Sequence, residues 1–528
     1  MQLKMPTTIC ATESTAAAPA RQLDRRRRRL VLNGFFSLAG QGIPLCLAFA
    51  ATPYITRKLG AEQYGILTLL MIYAFTFSLL NLGINASLVK YLAALWAKRE
   101  YSEMTKYLST SLLLLIGLGA VVVVCAFVFA PFIVHTAFTE HQDLVHSTVA
   151  CFRIASLALV LQFMCQITSA IPAAVERFDI LNGVRVISEL VRVCGVVALL
   201  YLGFQLTAVV CMILVASAVA CLGYFIASKR LAPEVSLSAG FSATHARSLF
   251  GHSKYILAGS VANHVSSTAD SMLIGCLFPV SDVAYYTIAY SLTHRMWALV
   301  GNVASAIFPA VSSLSKEDGD IAMVRELYLR GTKLAALVAC FPAAVLCVLS
   351  YQCLLFWLGP LYAVHGATVL RILTVAFFLY SFTHIPRLVL QGTEYANVAA
   401  RASGMYMFLN LCLFGISIPL FGIIGAAVAL LITQSIFVPW FVWLSSRVFN
   451  VSLRELFLHC YVPVVLIGGI VASVVSLFVP YVDSLLTLVL AVCAGFVAYV
   501  GMSCLIAPAV RERARHLVTV VTRARKVA

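Results

Sequence analysis

Long apolar runs, divided by short clusters of charged residues, glycine and proline, follow one another from residue 31 to residue 507. Each run has about 18 to 25 residues, the length at which a helix spans the roughly 30 Å hydrocarbon core of a bilayer. Because water cannot satisfy backbone groups inside a bilayer, such runs cross it as helices. The pattern predicts an all-α polytopic membrane protein.

The breaks between apolar runs predict about fourteen membrane spans. The longest polar stretch within the series, residues 228–253, contains Lys229, Pro233 and Arg247 and predicts a cytoplasmic linker between two groups of helices. We place the spans near residues 31–52, 64–89, 107–134, 146–170, 179–202, 205–227, 254–279, 283–309, 331–351, 365–390, 398–418, 422–446, 460–480 and 484–507.

Two parts of the chain are related by a nearly constant displacement. The segment YLGFQLTAVV at residues 201–210 resembles LFGIIGAAVA at residues 420–429, which pairs Gly203 with Gly422, and Arg153 then maps onto Arg371. An even number of spans in each copy makes the copies parallel, and two facing bundles enclose a cavity that can open to either side. We therefore expect one six-helix bundle in residues 31–227, a second in residues 254–446, and two additional helices in residues 447–507.

The basic residues report the orientation of the chain. Most of the 37 lysines and arginines fall on one side of the alternating loops, and only Arg57 and Lys58 fall in loops on the other side. By the positive-inside rule, both termini are cytoplasmic, with a disordered basic tail at residues 1–30 and another basic tail at residues 508–528. The formal net charge of +16 is divided among these clusters, which argues against nucleic acid as a partner.

Three ionisable residues share one face of the fifth predicted span: Arg185, Glu189 and Arg192. An ionisable group near the bilayer centre costs about 2.5 to 3.5 kcal/mol on insertion scales, so it needs a partner, a wet cavity or a function. Two interpretations remain open at this point. The three residues can form a self-neutralising ladder, or one guanidinium can point its surplus charge into the cavity.

A polar stripe on the seventh predicted span consists of Asn263, Ser266, Ser267 and Asp270. The first span carries Asn33, Ser37 and Gln41 in the corresponding region. Such a stripe lines either the central cavity or an ordinary contact between helices.

Asp270 is a lone carboxylate deep within its predicted span. Three interpretations are open: Asp270 takes up a proton, it pairs with Arg295 of the next span, or it binds a coupling ion. The sequence slightly favours the ion pair.

Arg153 and Arg371 occupy matching places in the two copies, each roughly 10 Å from the outer boundary. They can extend toward lipid phosphates or point inward. In the inward case Arg153, Arg192, Arg295 and Arg371 outnumber Glu189 and Asp270, which gives a cationic cavity. Guanidinium groups bind phosphate oxygens in pairs, so a diphosphate is the first anion that we expect.

The sequence lacks the motifs of several other functions. It contains no phosphate-binding loop ending in Gly-Lys and no nucleophile motif, which argues against ATP hydrolysis and covalent catalysis. We predict no metal site and no cofactor, with a proton or Na⁺ as the coupling ions that the chain could use. Every predicted external loop is about 12 residues or shorter, which disfavours a membrane enzyme with its catalytic residues outside. We therefore predict a transporter.

The segments NGFFSLAGQGIPLCLAFAATPYITRKLGAEQYGIL and ADSMLIGCLFPVSDVAYYTIAYS resemble the polysaccharide-transport flippases of the multidrug/oligosaccharidyl-lipid/polysaccharide (MOP) exporter superfamily. The resemblance covers residues 30–507 and implies a fold like that of the multidrug exporters. It implies translocation of an oligosaccharide on a polyprenyl diphosphate across the bacterial inner membrane. It further implies O-antigen or exopolysaccharide synthesis, with membrane lipids, a polysaccharide polymerase and glycosyltransferases as partners.

Two departures separate this chain from other branches of the superfamily. Peptidoglycan-precursor flippases carry charged residues in the first span, whereas this first span has none. Drug exporters often use a carboxylate of the N-terminal bundle for coupling, and here the deep carboxylate on that side, Glu189, lies between two arginines. A cation-coupled multidrug or small-molecule antiporter is therefore the alternative function.

Overall fold

The structure is a computed structural model that describes residues 17–137, 142–236, 240–305, 321–392 and 395–506. Within these ranges every regular element is helical, which confirms the predicted all-α class. The first helix begins at Ala17, inside the segment predicted to be a disordered tail, and the predicted tail at residues 508–528 lies outside the described residues. The helices are α1 (Ala17–Lys98), α2 (Tyr101–Ala137), α3 (Gln142–Ala174), α4 (Phe178–Tyr201), α5 (Leu206–Leu231), α6 (Ala243–Leu277), α7 (Val280–Ser305), α8 (Ile321–Val348), α9 (Ser350–Leu358), α10 (Pro360–Ser381), α11 (His384–Gly392), α12 (Ala396–Val448), α13 (Leu453–Leu456), a π-helical turn (Phe457–Tyr461), α14 (Val462–Phe478), a 3₁₀ turn (Val479–Tyr481) and α15 (Leu485–Ile506).

Glycines with positive φ mark the sharp turns between predicted spans. Gly60, at φ 76°, divides α1, and Gly422, at φ 58° and ψ −137°, divides α12. Gly203 lies in the turn between α4 and α5 at φ 90°. A side chain strains the backbone in this region, so glycine is the residue that these turns require. Gly203 and Gly422, paired by the sequence repeat, thus occupy equivalent turns.

One predicted span is divided in the structure. The sequence predicts a single helix over residues 365–390, but α10 ends at Ser381 and α11 begins at His384. Pro386 lacks a backbone N–H and cannot donate to the carbonyl one turn earlier, at Phe382, so the helix breaks there.

The chain forms two compact units. The first comprises Met1–Ile55 and Ala74–Leu257, and the second comprises Thr56–Tyr73 and Ala258–Ala528. A core of the first unit joins Leu88 and Leu92 of α1 to Leu159 and Phe163 of α3.

The second unit takes in the middle of α1. There Ala61 packs with Ile274 of α6 and Val283 of α7, close to the point where Gly65 approaches the backbone of Val280. A methyl group on Gly65 would lie 2.1 Å from the Val280 carbonyl oxygen, so this approach requires glycine.

Eight of the described helical segments are long and apolar enough to cross a membrane. They include Tyr101–Phe132 and Leu206–Leu231 in the first unit and Asn397–Val448 and Leu485–Leu505 in the second. Many of their large apolar side chains, such as Phe132 at 69% exposure, face outward, as lipid-facing residues do. The molecule is a multi-pass helical membrane protein.

Candidate functional sites

Two of the three ionisable residues on α4, Glu189 and Arg192, form an ion pair within that helix. On α4, Arg192 donates from Nε to Oε2 of Glu189 at 2.9 Å and from Nη2 to the other carboxylate oxygen. The two side chains are 28% and 19% exposed, respectively, and Arg185 is exposed and lies outside the pair. Two parallel hydrogen bonds between guanidinium and carboxylate form the strongest type of ion pair. The charge of Arg192 is therefore balanced by Glu189, and the surplus charge of the ladder belongs to Arg185.

Arg153 of the first unit contacts an aromatic ring. Its guanidinium carbon on α3 lies 5.0 Å from the centre of the Phe127 ring on α2. Among the described residues, its buried Nε has no hydrogen-bond partner. A guanidinium over a ring face gains about 0.5 to 2 kcal/mol without losing its charge. Arg153 is thus held against α2 as an unneutralised cation.

Among the described carboxylate residues of the second unit, Asp270 is the most deeply buried, with 1% of its surface exposed. Its Oδ2 accepts a hydrogen bond from the Tyr286 hydroxyl at 2.6 Å. Its Oδ1 accepts from the Ser271 backbone N–H at 2.7 Å and from the Ser271 hydroxyl at 3.3 Å. Among the described residues, every hydrogen-bond partner of this carboxylate is a neutral donor.

The structure corrects the predicted ion pair between Asp270 and Arg295. Asp270 bonds to Tyr286 instead, because the two residues lie at similar distances from the turn between α6 and α7. Arg295 lies roughly 13 Å further along α7 at 1.5 Å per residue. It is partly buried and directly follows His294.

The polar stripe on α6 makes contacts within the second unit. The Ser266 backbone carbonyl accepts a hydrogen bond from Asn410 Nδ2 of α12 at 3.3 Å, and the side-chain Oδ1 of Asn410 accepts from the Thr433 hydroxyl at 3.2 Å. The hydroxyl of Ser267 donates to the backbone of its own helix, at the His264 carbonyl. The Ser267 hydroxyl is thus used within its own helix, whereas at Ser266 the backbone forms the contact with α12.

Of the other polar candidates, Asn33, Asn263 and Gln41, the structure describes the side chain of Gln41. Asn33 and Asn263 lie outside the residues whose side chains are described. Gln41 is described and lies exposed on α1.

Arg371 of the second unit is exposed and donates from Nε to the Ser350 hydroxyl at 2.7 Å. Ser350 is the first residue of α9, so Arg371 on α10 reaches back to the preceding helix, as Arg153 reaches back to α2. A hydroxyl leaves the charge of the guanidinium intact. Both matched arginines are thus positioned by uncharged neighbours, and neither forms an ion pair with a described carboxylate.

An aromatic column, which sequence reasoning missed, runs through the second unit. We define it as Tyr286, Tyr290, His294 and Trp297 of α7, continued by Tyr380 and Tyr406. The ring centres of Tyr290 and His294 are 5.8 Å apart, those of His294 and Trp297 are 5.3 Å apart, and the rings of Trp297 and Tyr380 stack at 5.5 Å. The rings of Tyr380 and Tyr406 stack at 5.3 Å. The column therefore extends from the Asp270 carboxylate to α12.

Two charged or polar side chains join the far end of this column. Arg387 of α11 donates from Nη2 to the Tyr380 hydroxyl at 3.0 Å and lies 5.5 Å from the centre of that ring. Gln434 donates from Nε2 to the Tyr406 hydroxyl at 2.9 Å. His384 of α11 forms a 3.1 Å hydrogen bond with the Trp297 carbonyl of α7. The second unit thus links a buried carboxylate to a partly exposed arginine through packed rings.

Known proteins resemble the chain over most of its length. A sequence profile described as polysaccharide biosynthesis protein matches residues 54–365. The putative O-antigen transporter of Shigella flexneri is 21% identical over 430 residues, which cover 80% of this chain and 99% of that protein. The probable low-salt glycan biosynthesis flippase Agl15 of Haloferax volcanii is 34% identical over 187 residues, which cover 35% of this chain and 39% of that protein.

Two solved structures share the fold. The inward closed conformation of the lipid II flippase MurJ superposes with a TM-score of 0.70 at 14% identity, over 90% of this chain and 98% of that chain. An inward-facing multidrug resistance transporter of the MATE family, within the MOP superfamily, gives a TM-score of 0.66 at 14% identity, over 79% and 99% of the two chains. At this identity the likeness identifies the fold, and it agrees with the architecture predicted from the apolar runs and the repeat.

Proposed function

The chain belongs to the family of polysaccharide biosynthesis proteins, and from this premise we propose that it is a flippase for lipid-linked glycans. It would carry polyprenyl-diphosphate-linked oligosaccharide repeat units from the inner to the outer leaflet by alternating access. The observation that carries the proposal is the alignment with the putative O-antigen transporter, which spans 99% of that protein. The product would serve O-antigen or exopolysaccharide synthesis.

The substrate site that we propose is cationic. Arg153 and Arg371 keep their charge, because a ring and a hydroxyl are their described partners. With Arg295 they supply the guanidinium groups that bind the oxygens of a diphosphate in pairs. Arg192 contributes less to this charge, since Glu189 balances it. Asn33, Gln41 and Asn263 are proposed polar contacts for the sugar.

Of the two carboxylate candidates for coupling, Asp270 is the stronger. Glu189 is paired with Arg192, whereas the described partners of Asp270 are neutral donors, so Asp270 would accept a proton or Na⁺ without first breaking an ion pair with a described residue. In the proposed cycle, occupancy of Asp270 would weaken its hydrogen bond to Tyr286 and so alter the contact between α6 and α7.

The proposed location is the bacterial cytoplasmic membrane, with both termini in the cytoplasm. A polysaccharide polymerase on the outer side and glycosyltransferases on the inner side are the proposed pathway partners, because they use and supply the same lipid-linked glycan.

Removal of the gene from the source cell tests the proposed flippase. We expect loss of the surface polysaccharide and accumulation of its lipid-linked repeat unit, both reversed by the wild-type gene. An unchanged amount of surface polymer in the deletion strain would contradict the proposal.

A cation-coupled multidrug antiporter is the second candidate function. It is favoured by the buried Asp270 and by the fold shared with the MATE family transporter. Expression in a drug-sensitive host separates the candidates. The flippase is expected to leave drug susceptibility unchanged, whereas raised resistance that depends on Asp270 would favour the antiporter.

A further inference from the structure

A large apolar cleft lies within the second unit, where α12 and α14 meet the π-helical turn. Its volume is about 750 Å³, within the range of sites that hold ligands the size of a drug. The walls are formed mainly by apolar side chains, including Val438, Val442, Trp443, Leu456, Phe457 and Val465. They belong to segments that are long and apolar enough to cross a membrane, Asn397–Val448 and Leu453–Tyr481. An occupant of this cleft would therefore come from the bilayer.

Two arginines, Arg454 and Arg447, lie at this cleft and form no ion pair with a carboxylate that the structure describes. Arg454 lines the cleft and is exposed. Arg447 is also exposed, and its guanidinium carbon lies 4.3 Å from the centre of the Trp443 ring, which forms part of the wall. Glu455, the adjacent carboxylate, pairs instead with Arg325. Within the described part of the chain, the two guanidinium groups thus leave a positive charge at the cleft that an anion can balance.

Two residues that line the cleft each carry a buried polar atom with no hydrogen-bond partner among the described residues. Gln434 lines the cleft and is 2% exposed; its Nε2 donates to Tyr406, and its Oε1 has no hydrogen-bond partner among the described residues. The hydroxyl of Tyr461, another lining residue, is likewise buried and unpartnered within the described ranges. Buried polar groups normally have partners, so a shift of these two side chains toward the cleft would present each atom to a polar group of an occupant.

We propose that this cleft binds one anionic phospholipid of the cytoplasmic leaflet. The phosphate would lie at Arg454 and Arg447, and a fatty acyl chain would lie along the apolar walls. Groups of the ester region would complete the hydrogen bonding of Gln434 and Tyr461. The predicted topology agrees, because it places the loop that contains Arg454 on the cytoplasmic side.

The bound lipid would stabilise the junction between the repeated bundle and the helices that follow it. One wall belongs to α12, the last helix of the second copy, and the opposite wall belongs to the π-helical turn and α14. A ligand that binds only the folded protein raises its stability in proportion to its occupancy. The melting temperature of the detergent-solubilised protein should therefore rise with added anionic lipid.

Native mass spectrometry of the delipidated full-length protein tests this site. Phosphatidylglycerol and phosphatidylcholine with identical acyl chains are titrated separately. If each arginine contributes about fivefold, phosphatidylglycerol should bind roughly 25-fold more tightly than phosphatidylcholine. Arg454→Ala should weaken phosphatidylglycerol binding about fivefold and leave phosphatidylcholine binding unchanged. Ser435→Trp, which places a ring in the cleft from an exposed lining position, should abolish the binding of both lipids.

Matched variants separate the cleft from the rest of the surface. Ile436→Trp adds the same ring at the neighbouring exposed residue, which does not line the cleft, and Arg401→Ala removes an exposed arginine at the other end of α12. Both should bind phosphatidylglycerol as the wild type does, with unchanged melting temperatures in lipid-free detergent. Equal binding of the two lipids by the wild type, or binding that survives Ser435→Trp, would overturn the proposal. Displacement of phosphatidylglycerol by a lower concentration of polyprenyl phosphate would also overturn it and assign the cleft to a prenyl chain.

Discussion

The two helical units hold their carboxylates in opposite ways. In the first unit, Glu189 forms two hydrogen bonds with Arg192 of the same helix, and the pair carries no net charge. In the second unit, the partners of Asp270 within the described ranges are the neutral donors of Tyr286 and Ser271. A carboxylate that is paired with an arginine binds a proton or another cation less readily, because the ion pair must first break. A carboxylate with neutral partners can gain a proton or a cation without that step. This contrast favours Asp270 of the second unit over Glu189 of the first as the responsive charge that we propose.

The largest effect on surface polysaccharide is expected when the charge of Asp270 is removed. Asp270→Asn keeps the shape of the side chain but removes its charge, so surface polysaccharide should fall more than tenfold, the effect of about 1.4 kcal/mol or more on transport. Glu189→Gln, the matched neutralisation in the first unit, should reduce it far less. Immunoblots of membrane fractions check that both variants accumulate. Equal losses from the two variants would contradict the contrast.

A second large effect is expected at Arg295, which lies on the same helix as Tyr286. If its guanidinium binds a diphosphate, Arg295→Ala should abolish surface polysaccharide, and Arg295→Lys should restore only part of it, because lysine lacks the planar pair of donors. Arg192→Lys is the matched control at the paired arginine and should retain most of the polymer. Full activity of Arg295→Ala would remove the cationic-site mechanism.

A moderate effect is expected from the phenol that supports Asp270. Tyr286→Phe removes one hydrogen bond to a charged group, worth about 1.5 to 3 kcal/mol, and should lower the melting temperature of the purified protein. Tyr290→Phe is a matched control, since the hydroxyl of Tyr290 makes no described contact with Asp270. If the two variants melt at the same temperature, Tyr286 does not support the carboxylate in solution.

The smallest effect is expected for the ion pair of the first unit. A double-mutant cycle with Glu189→Gln and Arg192→Gln should give a coupling of about 1 kcal/mol, because both side chains are partly exposed. The double variant should therefore melt closer to the wild type than the sum of the single changes predicts. A coupling near zero would show that the pair does not stabilise the unit.

The sequence predicted the helices and turns because strong and local physical effects set them. Apolar runs must cross the membrane as helices, and Gly203 and Gly422 stand where the backbone requires positive φ. The break before Pro386 was missed, although the missing N–H of proline is a signal for it. These features depend on a few neighbouring residues, so one sequence is enough to find them.

The partners of the candidate residues could be predicted less well, because they depend on side-chain depth and packing. The sequence paired Asp270 with Arg295 from approximate span boundaries, and counting from the turn at Pro279 would have favoured Tyr286. The aromatic column was missed because aromatic residues are 11% of the chain and resemble lipid-facing ones. Tyr286, Tyr290, His294 and Trp297 do recur at helical spacing on one face of α7, which is the signal that could have found the column. The stacking of Trp297 on Tyr380 joins different helices, and no local pattern encodes it.

The most direct test reconstitutes the protein in sealed vesicles with the lipid-linked repeat unit extracted from its source cell. A membrane-impermeant glycosidase added outside measures the fraction of repeat units in the outer leaflet, under an imposed proton or Na⁺ gradient. The flippase account predicts that this fraction approaches completeness with the wild-type protein and stays near half with Asp270→Asn, as in protein-free vesicles. A wild-type protein that leaves the fraction at the protein-free value would contradict it.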